Sequence, residues 1–198
     1  MNRLKGMTAY LCGAMDRVAD GGVEWREHIT PKLQEFGVGV FNPCNKPSDY
    51  APEDEDTREL IHSLKRSGKY SEISSVMKPI CAVDLRMVDI AHFIIMNLDI
   101  DTHLCGSYHE AFVAIGQKKP VIVMCKQGKI NLPNWMFGVV PHQMVFANWS
   151  ETLEYLHHIN EDEDVEHLNR WRFFDFNKVY GNDQSAIRPQ ELYESRGN

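Results

Sequence analysis

The sequence has no C-x-x-C pair, no glycine-rich phosphate loop, no basic excess and no long apolar run, and each absence removes a class of protein. Its five cysteines, Cys12, Cys44, Cys81, Cys105 and Cys125, are an odd, scattered set, which suits a reducing compartment. No stretch approaches the roughly 20 apolar residues that span a bilayer. Met1 to Met15 lacks the long apolar segment of a signal peptide, so a cytoplasmic location is expected, and the Asn148-Trp149-Ser150 sequon reads as a helix start. Gly13 with Gly21-Gly22 does not make a G-x-G-x-x-G fingerprint and no Gly-Lys-Ser/Thr occurs, which leaves dinucleotide and P-loop sites unsupported. With 21 Lys and Arg against 28 Asp and Glu, a net charge of −7 and a pI near 5.7, broad electrostatic binding to nucleic acid or anionic membrane is not expected. Repeats and low-complexity tracts are also missing.

What is present is a chain of 198 residues, 43% hydrophobic and 25% charged, long enough to bury a real core as one domain or a domain with an appendage. Its charge is uneven. Residues 1–149 hold 16 basic and 17 acidic residues, net −1, and residues 150–198 hold 5 and 11, net −6.

The apolar run Met7 to Cys12 reads as a first strand, ended by Gly13. From Gly22 to Phe36, Val23, Trp25, Ile29, Leu33 and Phe36 recur at near-helical spacing, and Gly37 supplies a stop. Val38 to Phe41 is a second strand closed by Asn42-Pro43. This βαβ pattern favours a parallel sheet covered by helices. Residues 44–79 break the rhythm, with Pro47, Pro52, the acidic cluster Glu53 to Asp56, a helix expected over Thr57 to Ser67 and a polar Ser-rich stretch. The segment reads as an insertion or lid. The pattern resumes with a helix from Asp84 to Ala91, a third strand His92 to Leu98, a helix Gly106 to Gln117, a fourth strand Pro120 to Cys125 and a short fifth strand Met144 to Ala147. A helix from Ser150 to Ile159 follows, capped by Asn148 or Ser150. Glu161 to Asp164 reads as a solvated acidic run, and the aromatic segment 168–180 as one that docks onto the body or a neighbouring subunit. The boundaries implied are an α/β domain over 1–159 and an acidic, aromatic extension over 160–198.

Ligands of open parallel α/β sheets bind at the carboxyl ends of the strands. That rule points to Gly13 to Asp16, Asn42-Pro43, Asp99, Asp101, Gly106 to Glu110 and Lys126 to Asn134. Ser107-x-x-Glu110 before an apolar helix fits a capping box. The same position also suits an ionised carboxylate, held so by the helix dipole and facing the crevice, as a glycosyl-transferring nucleophile requires. Asp84 reads as a helix N-cap. Asp99, Asp101, His103 and Cys105 hint at a metal, but no second cluster with ligand spacing follows, so a solvated loop is expected and no metal is assigned. His157-His158 reads as surface, and Tyr10, Trp25 and Trp135 as core or rim aromatics.

Together these pieces resemble the nucleoside 2-deoxyribosyltransferase family over residues 7–147. Tyr10-Leu11-Cys12-Gly13-Ala14-Met15 resembles the family's opening Tyr-Leu-x-Gly-Pro-Met, and Trp25-Arg26 a Trp-Arg pair of one branch. Asp84-Leu85 with Asp89-Ile90-Ala91 and the strand after it resembles an Asp-helix-strand element. Gly106-Ser107-x-x-Glu110, Ala114 and Lys119-Pro120-Val121 resemble the Gly-Thr-x-x-Glu segment and the strand that follows. The sequence departs from the pattern at Ser107 for Thr, Phe112 for Gly and His92 for Asp, and the Asp that precedes the Gly-Thr segment has no counterpart in place.

The resemblance implies a flavodoxin-like or Rossmann-like three-layer α/β sandwich with a five-stranded, mostly parallel sheet. It implies Glu110 as nucleophile, Asp84 as the residue that holds and protonates the leaving base, and Tyr10 as the group that orients Glu110. Gly13, Met15, Asn42, Asp101, Gly106 and Ser107 would contact substrate. Asn131 would reach a neighbouring subunit's site, so a homo-oligomer is expected. The partners are a nucleoside or nucleotide and a free nucleobase, with no cofactor. The alternatives are an N-glycosidase using water at the same site and a non-catalytic nucleotide-binding module.

Overall fold

The computed structural model describes residues 2–47, 50–161 and 171. Three strands, β1 (Thr8–Gly13), β3 (Phe93–Leu98) and β4 (Val121–Cys125), form the centre of the sheet. They are short apolar runs because both faces of each are covered. In β1 the five residues from Ala9 to Gly13 are buried, and so is all of β4. Between them come α1 (Val23–Glu35), β2 (Gly39–Phe41), α2 (Glu55–Arg66), α3 (Tyr70–Ile90) and α4 (Cys105–Gly116). After β4 follow the short α5 (Asn134–Val139), β5 (Val145–Phe146) and α6 (Trp149–Glu161). The strand order is β2-β1-β3-β4-β5, every pairing is parallel, and helices cover both faces. This is the expected three-layer α/β sandwich. The winding direction reverses between β1 and β3, where Ala9 to Gly13 lie in register with Phe93 to Asn97, and that is where such a sheet opens a ligand crevice.

The β1–α1 connection is held by a buried arginine. Arg26 is fully buried, and its guanidinium donates to the carbonyls of Leu11 (3.2 Å), Gly13 (3.0 Å) and Gly22 (2.7 Å). Its Cζ lies 4.5 Å from the centre of the Trp25 ring, which stacks on Trp149. Gly22 has φ 76°, and a Cβ there would sit 2.2 Å from the Ala14 carbonyl oxygen, so the turn requires glycine. Asp20 starts α1 in place of a cap, accepting from the backbone N–H groups of Gly22 and Glu24, both at 3.0 Å. These bonds hold its carboxyl below the usual range.

Two expectations are corrected, and one boundary is located more closely. Asp84 does not open a helix, because α3 begins at Tyr70 and carries it deep in its second half. The Ser-rich stretch is the exposed face of that helix, with Ser75 bonding back to the Ser71 carbonyl, while Ile73, Met77, Ile80 and Asp84 follow a helical stripe on the other side. Ser107 and Glu110 form no capping box. The helix starts two residues earlier, its cap position is Leu104, and no side chain caps it. Finally, the boundary at residue 159 falls inside α6. Asn160 accepts the Arg3 N–H on its backbone carbonyl and the Leu4 N–H on its side chain, which ties this helix to the chain's start.

Asn148 accepts the Glu151 N–H and is the start signal of α6. Of the aromatic segment, Trp171 is described: it is buried, packs edge-on against Phe93 and donates to the Tyr155 hydroxyl at 3.0 Å. Burial pushes that phenol up to about 12. The rest of the extension beyond Glu161, with its acidic run, lies outside the described residues. Among the described residues no helix is long and apolar enough to cross a membrane.

Candidate active site

A cavity of about 610 Å³ opens at the β1/β3 reversal, within the range of small-molecule sites. Its floor is the loop after β1, with Ala14 and Met15, and the start of α4, with Gly106, Ser107 and Glu110. Its other wall comes from residues 53–85, with Ile61 of α2 and Ile73, Met77 and Ile80 of α3. The segment that interrupts the sequence pattern therefore covers the crevice.

Glu110 is half-buried and lines the cavity. Burial raises its carboxyl above the ordinary range. The approach of Cys12 and Tyr10 and the charge of Arg26 pull it back, and Glu53 pushes it up. The expected dominance of the helix dipole is thus corrected: Glu110 is the sixth residue of α4, beyond the first turn where that field acts. Tyr10 is fully buried beneath the site. Its hydroxyl makes no well-aligned hydrogen bond among the described residues, yet burial first, and then the charges of Glu110 and Asp84, keep it a protonated phenol. Cys12 is likewise kept a thiol by burial and by Glu110, and donates to the Ser107 carbonyl at 3.2 Å.

Glu53 and Asp84, which line the same cavity as Glu110, belong to a cluster of which sequence reasoning supplied only Asp84. Lys46, from the loop after β2, places its ammonium 2.7 Å from Glu53 Oε1 and 2.8 Å from Asp84 Oδ1. The Lys46 side chain is 3% exposed, and those of Glu53 and Asp84 are 17% and 10%. The contacts are close but oblique, ion pairs rather than aligned hydrogen bonds. Burial, followed by the charge of Asp84, pushes Glu53 up to about 7 against the pull of Lys46. Asp84 is also raised, by burial foremost and by the charge of Glu110. Lys46 is raised because its two carboxylate partners outweigh its own burial.

These shifts bear on stability. A carboxyl raised on folding favours the folded state below its unfolded value, here 4.5, and that contribution is lost as pH rises through about 7. Glu53→Gln is expected to gain stability relative to wild type between pH 5 and pH 8, on the order of 2 kcal/mol. Urea unfolding of both proteins at the two pH values measures this, and a difference independent of pH would show that Glu53 titrates normally. Taking the difference cancels His92, whose lowered value works in the opposite direction.

Of the residues expected at the site, Glu110, Asp84, Met15, Gly106 and Ser107 line one cavity and Tyr10 packs below it. The others lie elsewhere. Gly13 is a packing position, since a Cβ would meet the Trp25 ring at 2.9 Å and the Asn97 carbonyl oxygen at 3.2 Å. Asn42 closes its own turn by accepting the Cys44 N–H. Asp99 and Asp101 both accept from the Gln127 amide, and Asp99 also pairs with Lys126 at 3.0 Å. Asn131 is exposed and donates to the Gln127 carbonyl. Among the described residues no group of three or more His, Cys, Asp or Glu is placed to hold a metal ion. Lys46 and Glu53 had one usable signal. Lys46 follows a strand's carboxyl end by five residues, and Glu53 is the one member of its acidic cluster not directed to solvent.

No family model matches the sequence, and no curated protein matches it. Among solved structures, the chain is similar to a 2-deoxyribosyltransferase from the psychrotolerant bacterium Bacillus psychrosaccharolyticus, described as a biocatalyst for the synthesis of nucleosides. The two share 17% identity with a TM-score of 0.49, over 82% of this chain and 95% of that one. That likeness assigns no activity, and the architecture described above stands on the sheet itself.

Proposed function

We propose that the protein transfers 2-deoxyribose between nucleobases through a covalent ester on Glu110. One observation carries the reading: Glu110, Glu53 and Asp84 border one cavity of about 610 Å³, and Lys46 holds the last two as a buried pair whose carboxyls are both raised. Such a site can attack a carbon from one side while protonating what leaves from the other. A carboxylate oxygen of Glu110 forms a bond to C1′, the C1′–N bond breaks with its electron pair going to the base, and the base departs protonated. A second base then attacks C1′, loses its proton and frees Glu110, so configuration is retained over two displacements. Tyr10 and Cys12, both held protonated beside Glu110, steady the free carboxylate and withdraw no charge from it. Residues 44–79 serve as the lid. The exposed position of Asn131, away from this chain's own cavity, suits a contribution to a neighbouring copy's site in a homo-oligomer, and a cytoplasmic location completes the reading.

A second reading, hydrolysis of a nucleotide, has its own support. Arg17, Arg58 and Lys65 line the same cavity, and three cations suit a substrate carrying a phosphate. Incubating the protein with a deoxynucleoside or its 5′-monophosphate, with and without a second free base, separates the readings. A new nucleoside establishes transfer, and free base without acceptor establishes hydrolysis. Binding without turnover would leave a nucleotide-binding module and reject both enzymatic readings.

A further inference from the structure

Three separate stretches of chain, the loop after β2, the segment leading into α2 and the second half of α3, bring Lys46, Glu53 and Asp84 together over the cavity. Two carboxyls share one ammonium, and Glu110 faces the same space. Arg17, Arg58 and Lys65 also line the cavity, but Arg17 and Lys65 are exposed to solvent, and among the described residues Lys46 is the cation within ion-pair distance of Glu53 and Asp84. Two ionised carboxylates beside one buried ammonium would therefore leave an excess of negative charge in a medium of low dielectric. One retained proton removes that excess. Two features place it where chemistry can use it: both carboxyls border the cavity, and each touches the ammonium through one oxygen, which leaves the other oxygen of each uncommitted to Lys46.

We propose that Glu53 is the proton carrier of this site, handing a proton to the departing base and recovering one from the incoming base, with Asp84 and Lys46 as its clamp. The assignment rests on the transfer reading above. In the first half-reaction the C1′–N electron pair moves to the base, the Glu53 proton passes to a base nitrogen and Glu53 is left as a carboxylate beside Lys46. In the second, the incoming base gives its proton to Glu53 as its nitrogen bonds to C1′. No further reactant is needed. The groups that bear on Glu53 are Lys46, Asp84 and Cys81 of α3, Arg58 of α2, Glu110 of α4 and Cys44. Burial first, and then the charge of Asp84, keep it protonated up to about pH 7 against the pull of Lys46.

A latch that merely closes the cavity would show the same contacts, so the test turns on the leaving group. A purine 2′-deoxynucleoside needs a proton to depart, whereas its N7-methylated cation leaves as a neutral base without one. Base release from both is measured for wild type and Glu53→Gln. The variant is expected to lose roughly 100-fold or more on the ordinary nucleoside and to stay within about threefold of wild type on the methylated one. Equal losses on both would overturn the proposal in favour of a latch, and no loss on either would overturn it outright. Wild type alone supplies a second measurement should the variant not fold: release from the ordinary nucleoside falls above about pH 7, and release from the methylated one does not. A falling limb with both substrates, or with neither, rejects the role. If wild type releases base from neither substrate, it is the underlying transfer reading that fails.

Discussion

Under the proposed transfer, Glu110→Gln is expected to lower turnover by roughly 10³-fold or more while leaving the unfolding midpoint close to that of wild type. The activity loss follows from chemistry, because a carboxamide cannot form the glycosyl ester. The preserved fold follows from structure. Glu110 caps no helix end, and burial already raises its carboxyl, so a neutral side chain of the same shape removes an electrostatic cost along with whatever Tyr10 and Cys12 contribute. Product formation followed by chromatography, with thermal unfolding on the same sample, measures both halves. A variant retaining more than about a tenth of the activity would exclude Glu110 as nucleophile. Glu110→Ala is expected to match it in activity, at a small added cost from the space left behind.

Arg26→Leu is expected to destabilise the protein by about 3–5 kcal/mol. The guanidinium is fully buried and serves three carbonyls on two sides of the β1–α1 turn, those of Leu11, Gly13 and Gly22. Leucine removes all three guanidinium donors at once, and each hydrogen bond from a charged group is worth about 1.5–3 kcal/mol. Arg26→Lys is expected to recover only part of the loss, since an ammonium cannot span three directions with a planar fork. Urea unfolding at pH 7 decides the matter, and a loss under about 1 kcal/mol for the leucine variant would show that the carbonyls find other partners. The same variant should weaken the site, because Gly13 leads directly into Ala14 and Met15 on the cavity floor.

The sheet was legible because each central strand announces itself locally. Val121–Cys125 is a continuous apolar run and Phe93–Leu98 one interrupted at Asn97, and their order along the chain with intervening helices leaves few topologies. Glu110 was reached from the strand-end rule as well as from the resemblance and the proposed role of Asp84 from the resemblance alone, while the capping interpretation of each was misleading. Ser107-x-x-Glu110 satisfies the spacing of a capping box, but which turn it occupies depends on where α4 starts, and the chain starts it at Cys105 through the packing of Leu104. Asp84 looked like a cap because the polar, Ser-rich stretch before it suggested a break. The stripe of Ile73, Met77 and Ile80, needed to close the cavity, carries the helix through. Lys46, Glu53 and Asp84 could not be joined from the sequence. Their contact is fixed by how α2 folds back on α3, and nothing within a short window encodes it.

The length of α3 has a mechanical consequence. At about 1.5 Å per residue the helix is a rod of roughly 30 Å, anchored on the sheet at Met87 and Val88, with Tyr70 at its outer end. A tilt of about 10° about that anchor would carry the Tyr70 end through roughly 4–5 Å but Asp84 through only about 1 Å. Such a tilt would widen the rim of the cavity by more than the thickness of an aromatic ring while the carboxylate near the fulcrum hardly moved. Lever arm, more than local softness, sets how far each group travels.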